Sequence, residues 1–216
     1  MSRVPKSKRQ YVQSINTPAK LYAAKLPDAK GAPFLGYIEP LFATKVDRAP
    51  SSEEWVHEIK FDGYRLQVHR NPNTTRCFTR REHDWSSKFP TVTAAVAKLA
   101  GNSFILDGEA VIETDKGDTD FNELQTYVSP KAPPSHLIPR LVYYAFDILY
   151  LDGFDLRDAP LIERKEVLRI LLGDAPSPLK YSEHLEAAGR TVFGKACGLE
   201  LEGVVSQAKG RPISLR

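Results

Sequence analysis

Cysteine is scarce in this chain, because only Cys77 and Cys197 occur among its 216 residues. Small secreted domains held together by disulfides carry many more cysteines, so the composition excludes that class and indicates a reducing, cytoplasmic compartment. The five histidines show no paired spacing typical of metal ligands, and neither cysteine belongs to a metal-type cluster. The sequence therefore gives no indication of a zinc centre.

Long apolar runs are also missing, so no stretch reaches the roughly 20 residues that a membrane-spanning helix needs. The N-terminal segment is polar and is interrupted by Pro5 and Pro18, which argues against a secretory signal. The chain is 42% hydrophobic and 26% charged, a composition typical of a soluble globular domain with one sizeable core.

Acidic residues are nearly absent from the first 30 positions, where Asp28 stands against seven basic residues. These basic residues are Arg3, Lys6, Lys8, Arg9, Lys20, Lys25 and Lys30. We expect residues 1–33 to form a basic, flexible arm. The arm is interpreted equally well as a non-specific grip on phosphates or as a solvated linker, and its poor amphipathicity makes a mitochondrial transit segment the weaker alternative.

Strand-like and helix-like segments alternate irregularly from residue 34 onward. Strands are predicted at 55–61, 64–70, 75–79, 104–106, 109–113, 141–147 and 204–205, and helices at 91–99, 121–127, 161–172 and 186–197. The third helix has the clearest ends, since Pro160 precedes it and Gly173 follows it. Strands in hairpins, followed by helices without regular βαβ order, predict an α+β domain with antiparallel sheets.

Lys60 lies in an apolar run and begins the pattern Lys-x-Asp-Gly-x-Arg over residues 60–65. This pattern is expected by chance in well under ~1% of chains of this length. We expect Ile59 and Phe61 to desolvate the amine and Arg65 to add a neighbouring positive charge, and both effects favour the neutral, nucleophilic form. A strand that ends in an Asp-Gly hairpin turn is an alternative that is compatible with the first interpretation.

The pattern at Lys60 resembles the nucleophile motif of the covalent nucleotidyltransferases, which comprise ATP-dependent DNA ligases, RNA ligases and mRNA capping enzymes. Four further segments resemble other motifs of this family and follow in the family's order. They are Thr79-Arg80 with Asp84-Trp85, Leu106-Asp107-Gly108-Glu109, Tyr144-Ala145-Phe146-Asp147-Ile148-Leu149 and Glu202-Gly203-Val204-Val205-Ser206. The likeness is greatest to the bacterial ligase D type of ATP-dependent DNA ligase, which acts in non-homologous end joining.

The resemblance implies an α+β nucleotidyltransferase (ATP-grasp-like) domain, with antiparallel sheets flanked by helices and the nucleotide held between two sheets. It implies ATP and Mg²⁺ as cofactors, nicked or broken duplex DNA as the substrate, a Ku-like end-binding protein as a partner, and the bacterial cytosol as the location. No role at a membrane is implied. The adenylation domain is expected to occupy residues 34–216.

The resemblance also assigns roles in phosphate chemistry. Lys60 is expected to attack the α-phosphate of ATP and to form a lysyl-AMP phosphoramidate. Arg65 and Arg80 carry planar forks that suit ribose hydroxyls or phosphate, and the family uses its matching arginines in this way. Glu202 is the expected metal ligand, with Asp62 contributing through water, because Mg²⁺ needs only one or two protein carboxylates.

Three residues are assigned to the nucleoside by the same resemblance. Glu58 is expected to accept a hydrogen bond from the adenine amino group, Glu109 to bind ribose, and Phe146 to stack on adenine. Without the family match, Phe146 would be interpreted as a core residue because its run is apolar. Asp107-Gly108-Glu109 would be interpreted as a hairpin turn.

Residues 207–216 depart from the family pattern. The Lys-x-Lys pair and the small β-barrel that follow in the family are not found there, and Gln207 stands where ligase D relatives carry a basic residue. We therefore expect the adenylation domain to be incomplete at its C-terminal side and to seal nicks poorly by itself.

Other functions stay open at this point. One alternative is a non-catalytic DNA-binding remnant that is retained for its basic arm. Another is an RNA ligase or a capping-type nucleotidyltransferase, which differs in nucleotide or nucleic acid. A hydrolase built on the two carboxylates Asp107 and Glu109 would explain neither Lys60 nor Glu202.

Overall fold

The computed structural model describes residues 17–129, 132–198 and 202–213, and these form two β-sheets with helices packed against them. Seven strands form the larger sheet: β1 (Lys30–Gly31), β3 (Tyr64–Asn71), β4 (Thr74–Thr79), β5 (Phe104–Ile112), β6 (Leu141–Leu151), β7 (Phe154–Asp155) and β8 (Leu179–Tyr181). Their order is β1-β7-β6-β5-β3-β4, with β8 beside β6. The pairing is antiparallel except between β6 and β8, which run parallel.

The smaller sheet carries the predicted nucleophile. It consists of β2 (Trp55–Lys60), β9 (His184–Leu185) and β10 (Gly203–Ala208), in the order β10-β2-β9. Lys60 pairs with Gly203 and Glu58 pairs with Val205 across the antiparallel ladder. This register brings the end of β2 beside the start of β10, although the two segments are far apart in the sequence.

Five α-helices complete the described part of the chain: α1 (Pro18–Ala23), α2 (Pro90–Val96), α3 (Phe121–Val128), α4 (Leu161–Leu172) and α5 (Gly189–Gly198). A short 3₁₀ helix, Ile138–Arg140, leads into β6. The predicted bounds of α4 are confirmed: Pro160 precedes it, and Gly173 ends it with a positive φ of 43° that suits glycine. Within the ranges described, no helix has the length and apolar character needed to cross a membrane.

The larger sheet has one core face and one face available for chemistry. Leu66, Leu106 and Tyr143, from three adjacent strands, are fully buried and belong to the main core beneath the helices. Because side chains alternate along a strand, Arg65 and Glu109 lie on the opposite face. The predicted α+β class with antiparallel sheets is therefore confirmed, and its polar face positions the candidate site.

Neither of the two hairpin turns considered as alternative interpretations is formed. Asp107-Gly108 does not form a hairpin, because β5 is one continuous strand from Phe104 to Ile112. A Cβ at Gly108 would lie 2.5 Å from Cζ of Tyr143, so glycine is required by close packing within the sheet. Asp62-Gly63 does not close a hairpin either, since it joins β2 of the smaller sheet to β3 of the larger one.

The folded part of the chain also begins earlier than the predicted boundary at residue 34. Ala19, Ala23 and Leu26 are buried members of the main core. The hydroxyl of Tyr22 donates to Oε2 of Glu163 at 2.7 Å and so links α1 to α4. The apolar residues that anchor this segment are spaced at helical intervals among basic ones. The prediction of a flexible arm relied on the excess of basic residues and did not consider this spacing. Residues 1–16 of the predicted arm lie outside the described residues.

Candidate active site

Lys60 and Glu202 meet where the smaller sheet joins the larger one. The Nζ of Lys60 contacts Oε1 of Glu202 although 142 positions separate the two residues in the sequence. Glu202 reaches the lysine because it immediately precedes Gly203, the residue paired with Lys60. The structure therefore brings together the expected nucleophile and the expected metal-binding carboxylate.

The expected desolvation of Lys60 is wrong. Its side chain is 49% exposed, and Ile59 is itself 42% exposed. Neighbouring residues on a strand point to opposite faces, so Ile59 cannot cover the amine. The ring of Phe61 stacks on Tyr144 with 4.0 Å between the ring centroids. What surrounds Lys60 is a set of charges, not an apolar cover.

Arg65 is fixed by a bidentate ion pair with Asp107. Its Nε donates to Oδ1 at 3.1 Å and its Nη2 donates to Oδ2 at 2.7 Å. A third donor, Nη1, reaches the carbonyl of Leu41 at 2.7 Å. Burial raises the pKa of the Asp107 carboxyl, and the facing guanidinium opposes that rise. Arg65 is thus held rigidly in the site, with two N–H donors left for a ligand.

Glu109 faces Arg65 across the β3–β5 ladder. Burial raises the pKa of Glu109 to about 8; the charges of Asp107 and Asp62 add to this rise, while those of Arg65 and Lys60 oppose it. Four charged groups therefore act electrostatically on Glu109, and the five residues form one cluster. A carboxyl with this pKa holds its proton at neutral pH and can donate a hydrogen bond as well as accept one.

Phe146 is only half-buried, and its ring lies 5.3 Å from the guanidinium carbon of Arg65. The β5–β6 register explains its position: Asp107 pairs with Asp147, whereas Gly108 pairs with Ala145, so Phe146 is the extra residue of a bulge. Bulges redirect side chains and occur often beside active sites. The interpretation of Phe146 as an ordinary core residue is therefore not supported, and the ring lies beside the charged cluster.

Glu58 is buried in a network that the sequence did not predict. Its Oε2 accepts from Nζ of Lys165 at 2.9 Å and from Oγ of Ser182 at 3.0 Å. Its Oε1 accepts from Nε2 of Gln207 at 3.1 Å. Burial raises the pKa of Glu58, while the charge of Lys165 and the hydrogen bonds oppose the rise. Glu58 shares one face of β2 with Lys60, because the two residues are two positions apart.

A second buried ion pair lies next to this network. Arg164 donates from Nε and Nη2 to the two carboxylate oxygens of Asp147, at 2.9 and 2.8 Å. Arg164 and Lys165 are consecutive in α4 and almost fully buried. Two adjacent cations of one helix therefore hold Asp147 of the larger sheet and Glu58 of the smaller one. The only signal in the sequence was a pair of basic residues within the apolar stripe of a helix.

Arg80 and Asp62 are exposed. Among the contacts of the described residues, neither side chain has a hydrogen bond or an ion pair. Arg80 follows β4 in the turn that contains Glu82, whose φ of 61° is positive. The charge of Asp62 contributes to the raised pKa of Glu109. The roles expected for these two residues stay predictions.

Comparison with known proteins agrees with this arrangement. Residues 41–211 match the family model of the ATP dependent DNA ligase domain. The multifunctional non-homologous end joining protein LigD of Pseudomonas aeruginosa is 35% identical over 195 residues, which are 90% of this chain and 22% of that protein.

Solved structures show the same likeness. Mycobacterial DNA ligase D complexed with ATP and MES has a TM-score of 0.62 and 27% identity, over 76% of this chain and 51% of that chain. The ligase domain of Mycobacterium tuberculosis LigD has a TM-score of 0.63 and 26% identity, over the same shares. The chain thus spans 22% of the first curated relative and about half of each of these structures. The predicted nucleotidyltransferase fold is confirmed, and the chain belongs to the family of ATP-dependent DNA ligase domains.

Proposed function

We propose that this chain is the adenylation core of an ATP-dependent DNA ligase, in which Lys60 forms a lysyl-AMP intermediate for nick sealing and end joining. The contact between Lys60 and Glu202 carries the proposal. It joins the first and the last of the family-like segments at one point of the fold. A hydrolase or a pure binding module has no need for a lysine held against a carboxylate at this position.

The chemical step follows from the position of the amine. The Nζ of Lys60 attacks the α-phosphorus of ATP, an N–P bond forms, and the bond to the oxygen that bridges to the β-phosphate breaks, which releases pyrophosphate. The attacking amine must lose a proton. Glu202 is in contact with it and is the group placed to accept that proton. Holding the nucleotide in line with the amine is the main task of the remaining residues.

The nucleotide is proposed to lie beside the polar face of the larger sheet. Phe146 offers a half-buried ring for adenine, and Glu109 offers a protonated carboxyl to the ribose. Arg65 keeps two donors for ribose or phosphate. Glu58 has an oxygen with only one donor and is assigned to the adenine amino group, while Arg80 is proposed to reach phosphate from the exposed turn after β4.

The donor set suits magnesium. Glu202 and Asp62 are exposed carboxylates at the Lys60 end of β2, and no group of three or more metal-binding side chains occurs within the described ranges. Mg²⁺ binds through one or two carboxylates plus substrate phosphates and keeps several waters. We propose that these two residues hold the ion. When bound, it would neutralise charge on the phosphates.

Duplex DNA with a nick or a break is the proposed substrate, and the bacterial cytosol is the proposed location. The support is the family match together with the name of the Pseudomonas aeruginosa relative, which describes an end-joining protein. A Ku-like end-binding partner belongs to the same proposal. The basic residues before position 31 are proposed to contact DNA phosphates without sequence preference.

Adenylation with radiolabelled ATP tests the proposal. We expect a labelled chain with Mg²⁺ present, loss of the label in Lys60→Arg, and retention of the label in the matched control Lys30→Arg, whose lysine pairs with Asp158 at the surface. Comparison of labelled ATP with GTP, and of nicked DNA with nicked RNA, separates the RNA ligase and capping alternatives. Two results together would support the non-catalytic remnant instead. Lys60→Arg would still bind duplex DNA, and no variant would be labelled even when a C-terminal ligase domain is supplied.

A further inference from the structure

The hydrogen bonds around Glu58 define its chemical state. Lys165, Ser182 and Gln207 all donate to its two oxygens. The ammonium of Lys165 can only donate, so it requires an acceptor at Oε2 of Glu58. Oε2 takes two of these bonds and Oε1 takes one. Because a carboxylate oxygen has about two acceptor sites, Oε1 keeps one site for a further donor.

The position of Glu58 relates it to the base of the nucleotide. It shares a face of β2 with Lys60, and its pKa responds to the charge of Asp147, the residue that follows Phe146. A carboxylate that only accepts complements the amino group of adenine, which donates. It opposes the O6 of guanine, which is an acceptor at the equivalent place. A protonated carboxyl carries an O–H group and would accommodate guanine.

We propose that Lys165 determines nucleotide specificity, because it holds Glu58 as an acceptor-only carboxylate that selects adenine over guanine nucleotides. The inference rests on the proposed function, since it requires Glu58 to face the base of a bound nucleotide. Lys165 does not touch the nucleotide in this account. It is a positioning residue that acts through Glu58.

Lys165 is suited to this role by its surroundings. Its side chain is fully buried, and its Nζ also donates to the carbonyl of Ser182 at 3.3 Å. Burial is the largest influence that raises the pKa of Glu58, and the charge of Lys165 is the largest that opposes the rise. Without that positive charge the buried carboxyl would take up a proton.

Other titratable groups from neighbouring strands also lie near Glu58 and Lys165. Their charges decide how much the pKa of Glu58 depends on Lys165. Asp147 of β6 adds to the rise in the pKa of Glu58. The ring of Tyr181, on β8, lies 5.1 Å from Nζ of Lys165. Burial and the charge of Lys165 lower the pKa of His184 on β9. These three groups supply no positive charge to Glu58 at neutral pH, and Arg164, beside Lys165 on α4, is paired with Asp147. The charge of Lys165 is therefore the largest influence that lowers the pKa of Glu58, and the hydrogen bonds from Lys165 and Ser182 act in the same direction.

The test compares the dissociation constants of ATP and GTP for the whole chain by titration calorimetry. In Lys165→Met, we expect the preference for ATP to fall by roughly 10- to 100-fold at pH 7, which corresponds to one hydrogen bond to a charged group. The preference should recover as the pH rises and the Glu58 carboxyl ionises. The matched control Lys98→Met removes an exposed lysine just after α2 and should keep the original preference at every pH.

A second variant guards against misfolding, because Lys165→Met leaves a buried acid without its partner. The double variant Glu58→Gln with Lys165→Met replaces the buried pair by neutral groups of similar size, and such replacements are tolerated. It should fold, as circular dichroism can verify, and should show little preference at any pH, because an amide both donates and accepts and does not titrate.

Three results would overturn the inference: an unmodified chain without preference for ATP, a folded Lys165→Met that keeps the original preference, or a double variant that does so. The binding ratio and the covalent label separate the two proposals. A chain that prefers ATP through Lys165 but forms no lysyl-AMP contradicts the proposed catalysis alone. A chain that forms lysyl-AMP while Lys165→Met keeps its preference contradicts only the inference.

Discussion

The ion pair between Arg164 and Asp147 provides a sharp test of how the site is held together. Replacing Arg164 with Met removes two hydrogen bonds to Asp147 and two to backbone carbonyls, those of Ala159 at 2.6 Å and Arg211 at 3.1 Å. It leaves Asp147 almost fully buried without its cation. Breaking a buried pair on one side costs about 3–5 kcal/mol, so we expect the free energy of unfolding to fall by about that amount.

The assay is equilibrium unfolding in urea, followed by far-ultraviolet circular dichroism. Arg169→Met is the matched control, because Arg169 lies on the same helix and pairs with Glu166 at an exposed position; its effect should be too small to resolve. The double variant Arg164→Met with Asp147→Asn should be about 1–3 kcal/mol more stable than the sum of the single effects predicts. If Arg164→Met were no worse than Arg169→Met, or if the effects simply added, the claim that this pair connects α4 to β6 would be refuted.

Two further predictions concern a carboxyl and the N-terminal helix. The pKa of Glu109 is raised from 4.5 to about 8. The contribution of this group to the free energy of unfolding is therefore complete below pH 4.5 and is lost as the pH rises through 8. Urea unfolding should show a lower stability at pH 8.5 than at pH 5, and this loss should be smaller in Glu109→Gln; equal losses in the two proteins would contradict the raised pKa. Leu26 follows α1 and lies in the main core, so Leu26→Ala should cost about 2–4 kcal/mol. Leu21 of α1 is 49% exposed, so Leu21→Ala should cost less than about 1 kcal/mol. Equal midpoints in thermal unfolding would show that the segment that follows α1 does not pack in the core.

Local sequence signals predicted those parts of the fold that depend on local chemistry. The bounds of α4 followed from Pro160 and Gly173. The hairpin expected at Asp62-Gly63 was wrong, because the turn chemistry is the same whether the next strand returns to the same sheet or enters another. Register and sheet membership depend on distant partners, which no local pattern contains.

The candidate site was also predicted only in part from the sequence. The resemblance assigned Lys60 and Glu202 to one active site, as nucleophile and metal ligand, and the two side chains are in contact. The desolvation of Lys60 was wrong because strand alternation turns Ile59 away. Lys165 was missed because its partner Glu58 lies 107 positions earlier in the chain. A lysine in an amphipathic helix normally faces water, so only the three-dimensional structure could show that this one is buried.

The proposed nucleophile, Lys60, can be identified by mass spectrometry of the intact chain and of its peptides after incubation with ATP and Mg²⁺. We expect one AMP adduct, which maps to Lys60 and is absent in Lys60→Arg. An adduct on another residue, or the absence of any adduct even with a C-terminal ligase domain supplied, would contradict it.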